Sequence, residues 1–140
     1  MLRQMTNTGR SWAPLPLRIG LGLVFLSHGV QNVLGAFGGP GLLAYSSKSA
    51  PFGLWPGWLW MGTFAVCQLV GGLLLMLGLF TRIGAGLLGI FLLLSIAENP
   101  LSSFFRQNGG VEFQLALLAG ILSLLILGGG RLSVDGNLRL

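Results

Sequence analysis

The sequence has 140 residues, of which 53% are hydrophobic and only 8% are charged, and its mean hydropathy is +0.82. A water-soluble domain carries about 25% charged residues, so this composition excludes an ordinary soluble globule. The net charge of +5 does not indicate nucleic-acid binding, because the basic residues are scattered singly along the chain instead of clustering on one face. The composition therefore predicts a protein whose main solvent is lipid, with membrane lipids as partners and no nucleic acid.

Four apolar runs divide the chain, and each is close to the ~20 residues that a helix needs to cross a bilayer core of ~30 Å. They predict transmembrane helices at about 17–36, 57–80, 83–99 and 112–130, within a single membrane domain over residues 1–140. The predicted extracytoplasmic loop 37–56 ends in a tryptophan-rich stretch that is typical of a membrane boundary. The predicted fold class is all-α: an integral membrane four-helix transmembrane bundle.

The basic residues predict the orientation of this bundle. Lys and Arg accumulate on the cytoplasmic side of membrane proteins, and here six fall on one side of the predicted helices and two on the other. The majority places both termini in the cytoplasm, so that the loops 37–56 and 99–110 face outward. The six are Arg3, Arg10, Arg18, Arg82, Arg131 and Arg139, and the two are Lys48 and Arg106.

The scarcity of metal-binding residue types restricts the chemistry. The chain has one cysteine, Cys67, and one histidine, His28. No Cys-x-x-Cys, Cys-x-x-Cys-His or paired-histidine spacing is present to hold zinc, an iron–sulfur cluster or a covalent haem. We therefore expect no cofactor to be held by this chain alone, and a catalytic role would need a partner that supplies electrons.

The spacing Gly84-x-Gly86-x-x-Gly89 formally matches the dinucleotide-binding fingerprint, but that motif follows a strand, and this one lies inside an apolar helix. Small residues let helices approach closely in lipid, so the predicted role of these glycines is helix packing. The same role is predicted for Gly20, Gly22, Gly71, Gly72 and Gly78.

A few polar residues are predicted at membrane depth. His28 lies about 16 Å along the first predicted helix, and Gln68 lies at a similar depth in the second, so the two side chains can meet. His28, Gln31 and Asn32 are three or four residues apart and share a helix face. An unpaired polar group in hydrocarbon costs several kcal/mol, so this face is predicted to point into the bundle.

Charged residues mark the predicted helix ends. Glu98 closes the third helix and Glu112 opens the fourth, and two interpretations remain open for each: interfacial solvation or capping, or a role in proton transfer or ligand binding. Arg18, Arg82 and Arg131 lie at the predicted cytoplasmic ends. They are either topology determinants that contact lipid headgroups or a basic ring that contacts an anionic lipid or a partner.

Three blocks of sequence, taken in order, resemble a known family. The run Leu17-Arg18-Ile19-Gly20-Leu21-Gly22, continued by Phe25-Leu26-Ser27-His28-Gly29-Val30-Gln31, resembles the opening signature of the DoxX family of small membrane proteins. Residues 68–82 resemble its second block, and residues 110–113 with 128–135 resemble its last. The resemblance implies a four-helix protein of the bacterial or archaeal cytoplasmic membrane, from a family first associated with terminal quinol oxidase and thiosulfate:quinone oxidoreductase systems.

The resemblance also has departures that bear on function. His28, Arg82 and Glu112 match positions typical of the family. Gln68, however, stands where a glutamate is usual and Asn32 where a lysine is common, and residues 97–103 lack a histidine often found there. The missing carboxylate, amine and imidazole weaken the case for intrinsic redox or proton-transfer chemistry.

Two functions follow as hypotheses. In the first, the chain is an accessory subunit of a respiratory or photosynthetic electron-transfer complex and packs on partner subunits through glycine-rich helix faces. In the alternative, it is an intrinsic quinone-linked oxidoreductase component. A polar pocket that binds a quinone or a lipid would then be formed by His28, Gln31, Gln68 and Glu112.

Overall fold

The computed structural model describes residues 11–48, 50–98, 105 and 111–138, and these ranges contain helices and turns but no strand. Three helices are long and apolar enough to cross a membrane, and a fourth apolar helix has 16 residues. The predicted all-α membrane fold is confirmed. The helices are α1 (Pro14–Leu34), α2 (Gly41–Ser46), α3 (Gly57–Leu77), α4 (Thr81–Glu98), α5 (Glu112–Leu127) and α6 (Val134–Leu138).

Several predicted features fall outside the described residues. These are Arg3, Arg10, Arg106 and Arg139, together with nearly all of the predicted loop 99–110.

The four apolar helices pack as neighbours in the order α1, α3, α4, α5. The contacts are most extensive between α1 and α3, and α1 also meets α5, where Leu17 and Leu21 pack at Gly120. We call the end of the bundle where α1 and α4 begin and α3 and α5 end the terminal end. The opposite end is the loop end.

Glycines and prolines set the helix boundaries. Pro14 is the first residue of α1, where its missing N–H leaves no hydrogen bond unmade, so the helix begins before the predicted residue 17. It ends at Leu34 because Gly35 adopts φ 71°, a left-handed conformation that glycine tolerates without strain. At the end of α3, Gly78 adopts φ 67° and the Leu79 N–H donates to the Leu74 carbonyl. The turn is therefore 78–80, and the predicted connection Thr81-Arg82 forms the start of α4.

The helix α1 stops beside the middle of α3. Asn32, near the end of α1, hydrogen-bonds to Gln68, which lies about 16 Å from the start of α3. The short helix α2 then packs beside the first half of α3, where Tyr45 is buried with Met61 and Phe64. The predicted loop 37–56 therefore contains a helix that continues the wall of the bundle.

The core consists of two apolar clusters. The larger one involves all four long helices, and the smaller one joins α2 to α3 at the loop end. Phe91 packs against both clusters, and its ring meets that of Phe64 edge-on with centroids 5.4 Å apart. The buried members of the larger cluster are Leu21, Phe25, Leu75, Ala85, Leu88, Leu92, Ile121 and Leu124.

Most of the predicted packing glycines do allow close helix contact, but they do so inside the chain. A Cβ added to Gly72 would overlap the backbone of Leu26. Gly29, which was not among the predicted glycines, has the same role, because a Cβ there would overlap the backbone of Leu69. Gly84 likewise faces Leu74, across the interface between α3 and α4. These glycines are therefore not available to a partner subunit. Gly20 differs, because a Cβ added there meets nothing within 4 Å.

Candidate functional site

A buried polar cluster at the terminal end joins α1 and the start of α4 to the C-terminal segment. Arg18 is only 2% exposed, and its guanidinium donates hydrogen bonds to the carbonyl oxygens of Gly129 and Leu132. The predicted lipid or partner contact of Arg18 is therefore wrong. The hydrogen bonds of the Arg18 guanidinium go to backbone carbonyls more than 100 residues later in the same chain, and not to lipid headgroups or a partner.

Asp135 is the acidic member of this cluster and is 3% exposed. Its two carboxylate oxygens accept hydrogen bonds from the N–H groups of Phe80, at 2.8 Å, and Thr81, at 2.9 Å. These are backbone donors at the start of α4, where the helix dipole also favours a negative charge. The carboxylate is attracted electrostatically to the Arg18 guanidinium as well. Asp135 thus caps α4 and balances the buried charge of Arg18.

Ser133 and the neighbouring glycines fold the C-terminal segment onto this cluster. The Ser133 hydroxyl donates to the Gly130 carbonyl at 2.7 Å and accepts from the Gly136 N–H at 2.9 Å. A Cβ added to Gly129 would lie 2.8 Å from the Thr81 hydroxyl oxygen, so only glycine fits there. The sequence interpretation assigned no role to Asp135. The available signal was that it is one of only three acidic residues in the chain.

The three arginines predicted to act alike have different surroundings. Arg82 is half-buried, and its guanidinium donates to the Ile126 carbonyl at 3.1 Å. Arg131 is exposed, and its guanidinium lies 5.3 Å from the centre of the Trp12 ring. The predicted contact with lipid or a partner therefore stays a prediction for the exposed Arg131 and the partly exposed Arg82.

Two amides meet within the membrane-spanning part of the bundle. The Asn32 side chain donates a hydrogen bond of 2.7 Å to Gln68, which is 5% exposed, and this pair ties α1 to α3. Gln68 was predicted to meet His28 instead. Asn32 and Gln68 are the two amides at which the resemblance led us to expect a lysine and a glutamate.

His28 lies on the outside of the bundle. Its side chain is exposed, and its only described hydrogen bond joins Nδ1 to the Val24 carbonyl of its own helix at 2.8 Å. The predicted inward-facing polar stripe is therefore divided between two directions, because Asn32 points to α3 and His28 points away from it. Gln31 is half-buried on α1, and Glu112 is the first residue of α5 at the loop end. Among the described residues, no hydrogen bond links His28, Gln68 and Glu112 to one another, and the pocket that they were expected to share stays a prediction.

A groove of about 490 Å³ runs between α2 and the first half of α3. Its walls are apolar, because the hydroxyl groups of Ser46 and Thr63 both donate to carbonyls of their own helices. The mainly apolar lining of the groove suits a hydrocarbon chain. Its remaining lining residues are Leu42, Leu43, Trp58, Leu59, Gly62, Val66 and Cys67.

At the loop end, the segment after α2 is held by polar contacts. The Lys48 ammonium lies 4.9 Å from the centre of the ring of Tyr45, which is buried. Glu98, at the end of α4, accepts a hydrogen bond of 3.0 Å from the Phe52 N–H. Of the two interpretations left open for Glu98, the structure shows a capping contact with the loop.

These features define an integral membrane helical bundle whose buried charges stabilise its own fold. The comparison with protein families gives the same class: the DoxX family model matches residues 13–98, and the chain belongs to the DoxX family. The matched range runs from the start of α1 to the end of α4. No curated protein and no solved structure matches the chain.

Proposed function

We propose that this DoxX protein is an accessory subunit of a membrane electron-transfer complex, respiratory or photosynthetic. The observation that carries the proposal is the outward position of His28. Gly29, the next residue, faces Leu69, which is about 18 Å from the start of α3, so the imidazole lies deep in the span. A polar group at this depth, facing away from its own chain, is best satisfied by something that another molecule supplies.

The surface around His28 suits contact with another subunit. Gly20, Leu23, Ser27 and His28 are exposed on one side of α1, and we call this set the α1 outer face. Arg18, Asp135, Asn32 and Gln68, by contrast, are all engaged within the chain. The buried polar groups therefore serve the fold, whereas the α1 outer face is available to a partner.

The resemblance to the DoxX family supports an electron-transfer setting, because that family is associated with quinol oxidase and thiosulfate:quinone oxidoreductase systems. The alternative, a quinone-linked oxidoreductase component, rests on a pocket formed by His28, Gln31, Gln68 and Glu112. It has weaker support, because Gln68 is engaged with Asn32 and His28 faces outward.

A matched pair of variants tests the subunit proposal. Solubilised in mild detergent from its native membrane, the tagged chain should migrate in a larger complex with haem or chlorophyll absorbance. Gly20→Leu should reduce the recovered complex at least about tenfold, because it adds a side chain to the α1 outer face where small residues let helices pack closely. Gly62→Leu should leave recovery unchanged, although a Cβ there also meets open space, because it lies on α3 in the groove.

Both variants should keep the wild-type helix content, as measured by circular dichroism. A wild-type chain that runs alone from its native membrane contradicts the subunit proposal. Equal complex recovery with Gly20→Leu and Gly62→Leu would place the interface elsewhere on the chain.

The cytoplasmic location of both termini is part of the same proposal and has its own test. In a Cys67→Ala background, Ser47→Cys should react with a membrane-impermeant thiol reagent added from outside, because Ser47 is exposed at the loop end. Arg131→Cys, exposed at the terminal end, should react only after the membrane is permeabilised. The reverse pattern would invert the proposed orientation.

A further inference from the structure

The apolar groove between α2 and α3 has the depth of one lipid leaflet. Helix α3 begins with Gly57 at the loop end, and the groove extends along it from Trp58 to Cys67. Cys67 is ten residues beyond Gly57, so the groove reaches about 15 Å into the span. This is half of a bilayer core that is about 30 Å thick. The groove therefore crosses the leaflet at the loop end and stops near the middle of the membrane.

A glycine in the α3 wall leaves the space that forms the groove. Gly62 lies midway along this wall, and a Cβ added there meets nothing within 4 Å. Exposed leucines stand on both sides, with Leu43 on α2 and Leu59 on α3. The volume of about 490 Å³ is within the range of about 300–1,000 Å³ that is usual for small-molecule sites. A single hydrocarbon chain matches this depth and lining, whereas a transmembrane partner helix is about 10 Å wide and crosses both leaflets.

The mouth of the groove combines an aromatic side chain with a positive charge. Trp58 lines the groove beside the start of α3 and is 65% exposed, and tryptophan side chains favour the headgroup level of a membrane. Lys48 follows the lining residue Ser46 by two positions, and its carbonyl lies 3.7 Å from the site of a Cβ added to Gly57. Lys48 is therefore placed where the two walls meet. Its side chain is exposed, and no carboxylate among the described residues pairs with its ammonium.

We propose that the groove binds one acyl chain of an anionic phospholipid from the leaflet at the loop end, with the lipid phosphate at the Lys48 ammonium. The acyl chain accounts for an apolar slot that is one leaflet deep, and the phosphate complements the basic residue at its mouth. The site does not depend on the subunit proposal, because it lies on α2 and α3 and not on the α1 outer face.

Photo-crosslinking of the full chain in nanodiscs tests this site. The nanodiscs contain phosphatidylcholine and a trace of phosphatidylglycerol that carries a diazirine near the end of one acyl chain. Peptide mass spectrometry should find adducts at Val66 and Cys67 in excess of those at Leu23, which is exposed at a similar depth on the α1 outer face. An excess of unlabelled phosphatidylglycerol should abolish the groove adducts, because the site is saturable.

Two variants separate the parts of the site. Gly62→Leu should reduce the groove adducts at least about tenfold, because its side chain fills the space that the acyl chain needs. The matched control Gly20→Leu adds the same side chain to α1 and should leave the groove adducts unchanged. Lys48→Gln should reduce them about fivefold, which is the effect of one basic residue on an anionic lipid.

The proposal is overturned if Val66 and Leu23 are labelled equally, or if Gly62→Leu or Lys48→Gln leaves the groove adducts unchanged. A photoreactive group attached to Cys67 should form lipid adducts in the native membrane. Cross-links from Cys67 to another protein, in place of lipid, would show that a partner covers the groove and would also overturn the proposal. Complex recovery is measured separately, so failure of the lipid proposal and failure of the subunit proposal are distinguishable.

Discussion

Replacing Asp135 with alanine should lower the free energy of unfolding by about 3–5 kcal/mol, which is the range measured when one partner of a buried charge pair is removed. The substitution leaves the Arg18 guanidinium, which is 2% exposed, without a balancing charge. It also removes the acceptor for the N–H groups of Phe80 and Thr81 at the start of α4. Both losses occur where water cannot easily compensate.

Denaturant titration of the purified chain in detergent micelles, followed by circular dichroism, measures this effect. Asn137→Ala is the matched control, because Asn137 is exposed in the same helix, α6, and its substitution should change stability by less than about 0.5 kcal/mol. The double variant Arg18→Met/Asp135→Leu should recover part of the loss, since it removes both buried charges. A stability of Asp135→Ala equal to that of Asn137→Ala would show that the terminal cluster does not stabilise the fold.

Gly29→Ala is the second substitution for which we expect a large effect: a loss of about 1–3 kcal/mol, the usual cost of overpacking, or more. The added Cβ would overlap the backbone of Leu69 on α3, and backbone atoms cannot move aside as a flexible side chain can. The two helices would have to separate along their whole contact, which is the most extensive in the bundle.

Gly20→Ala is the control that separates packing from helix propensity. Both substitutions replace glycine with alanine inside α1 and so raise the helix propensity of the chain equally. The Cβ at residue 20 meets nothing within 4 Å, so this variant should be at least as stable as the wild-type chain. The same denaturant titration compares the two variants. If both have the same effect, close contact between α1 and α3 is not what requires glycine at residue 29.

Hydropathy and the positions of helix-ending glycine and proline residues were sufficient to predict the four apolar helices, because both signals are local in sequence. The burial of the Arg18 side chain was not predictable in this way, since an arginine at a helix end is equally compatible with lipid headgroups and with burial. Arg18 is buried because its guanidinium donates hydrogen bonds to the carbonyls of Gly129 and Leu132, which lie more than 100 residues later in the sequence. Asp135 was overlooked for the same reason.

The polar face of α1 shows a second limit of sequence reasoning. Residues four apart in a helix differ by about 40° in direction, so His28 and Asn32 were assigned to one face. In the structure that small difference separates a side chain that meets Gln68 from one that faces outward. Only the position of the neighbouring helix determines which of the two side chains faces the bundle and which faces outward.

The early end of α1, beside the middle of α3, has a consequence for the surrounding bilayer. Between α1 and α2 the backbone runs through Gly35, Gly38 and Gly41, all with positive φ, at a level that α3 still spans as a continuous helix. Peptide groups outside a helix are not tolerated against hydrocarbon unless protein or water covers them. Where no other protein covers this break, we expect the adjacent lipids to thin locally or to admit water.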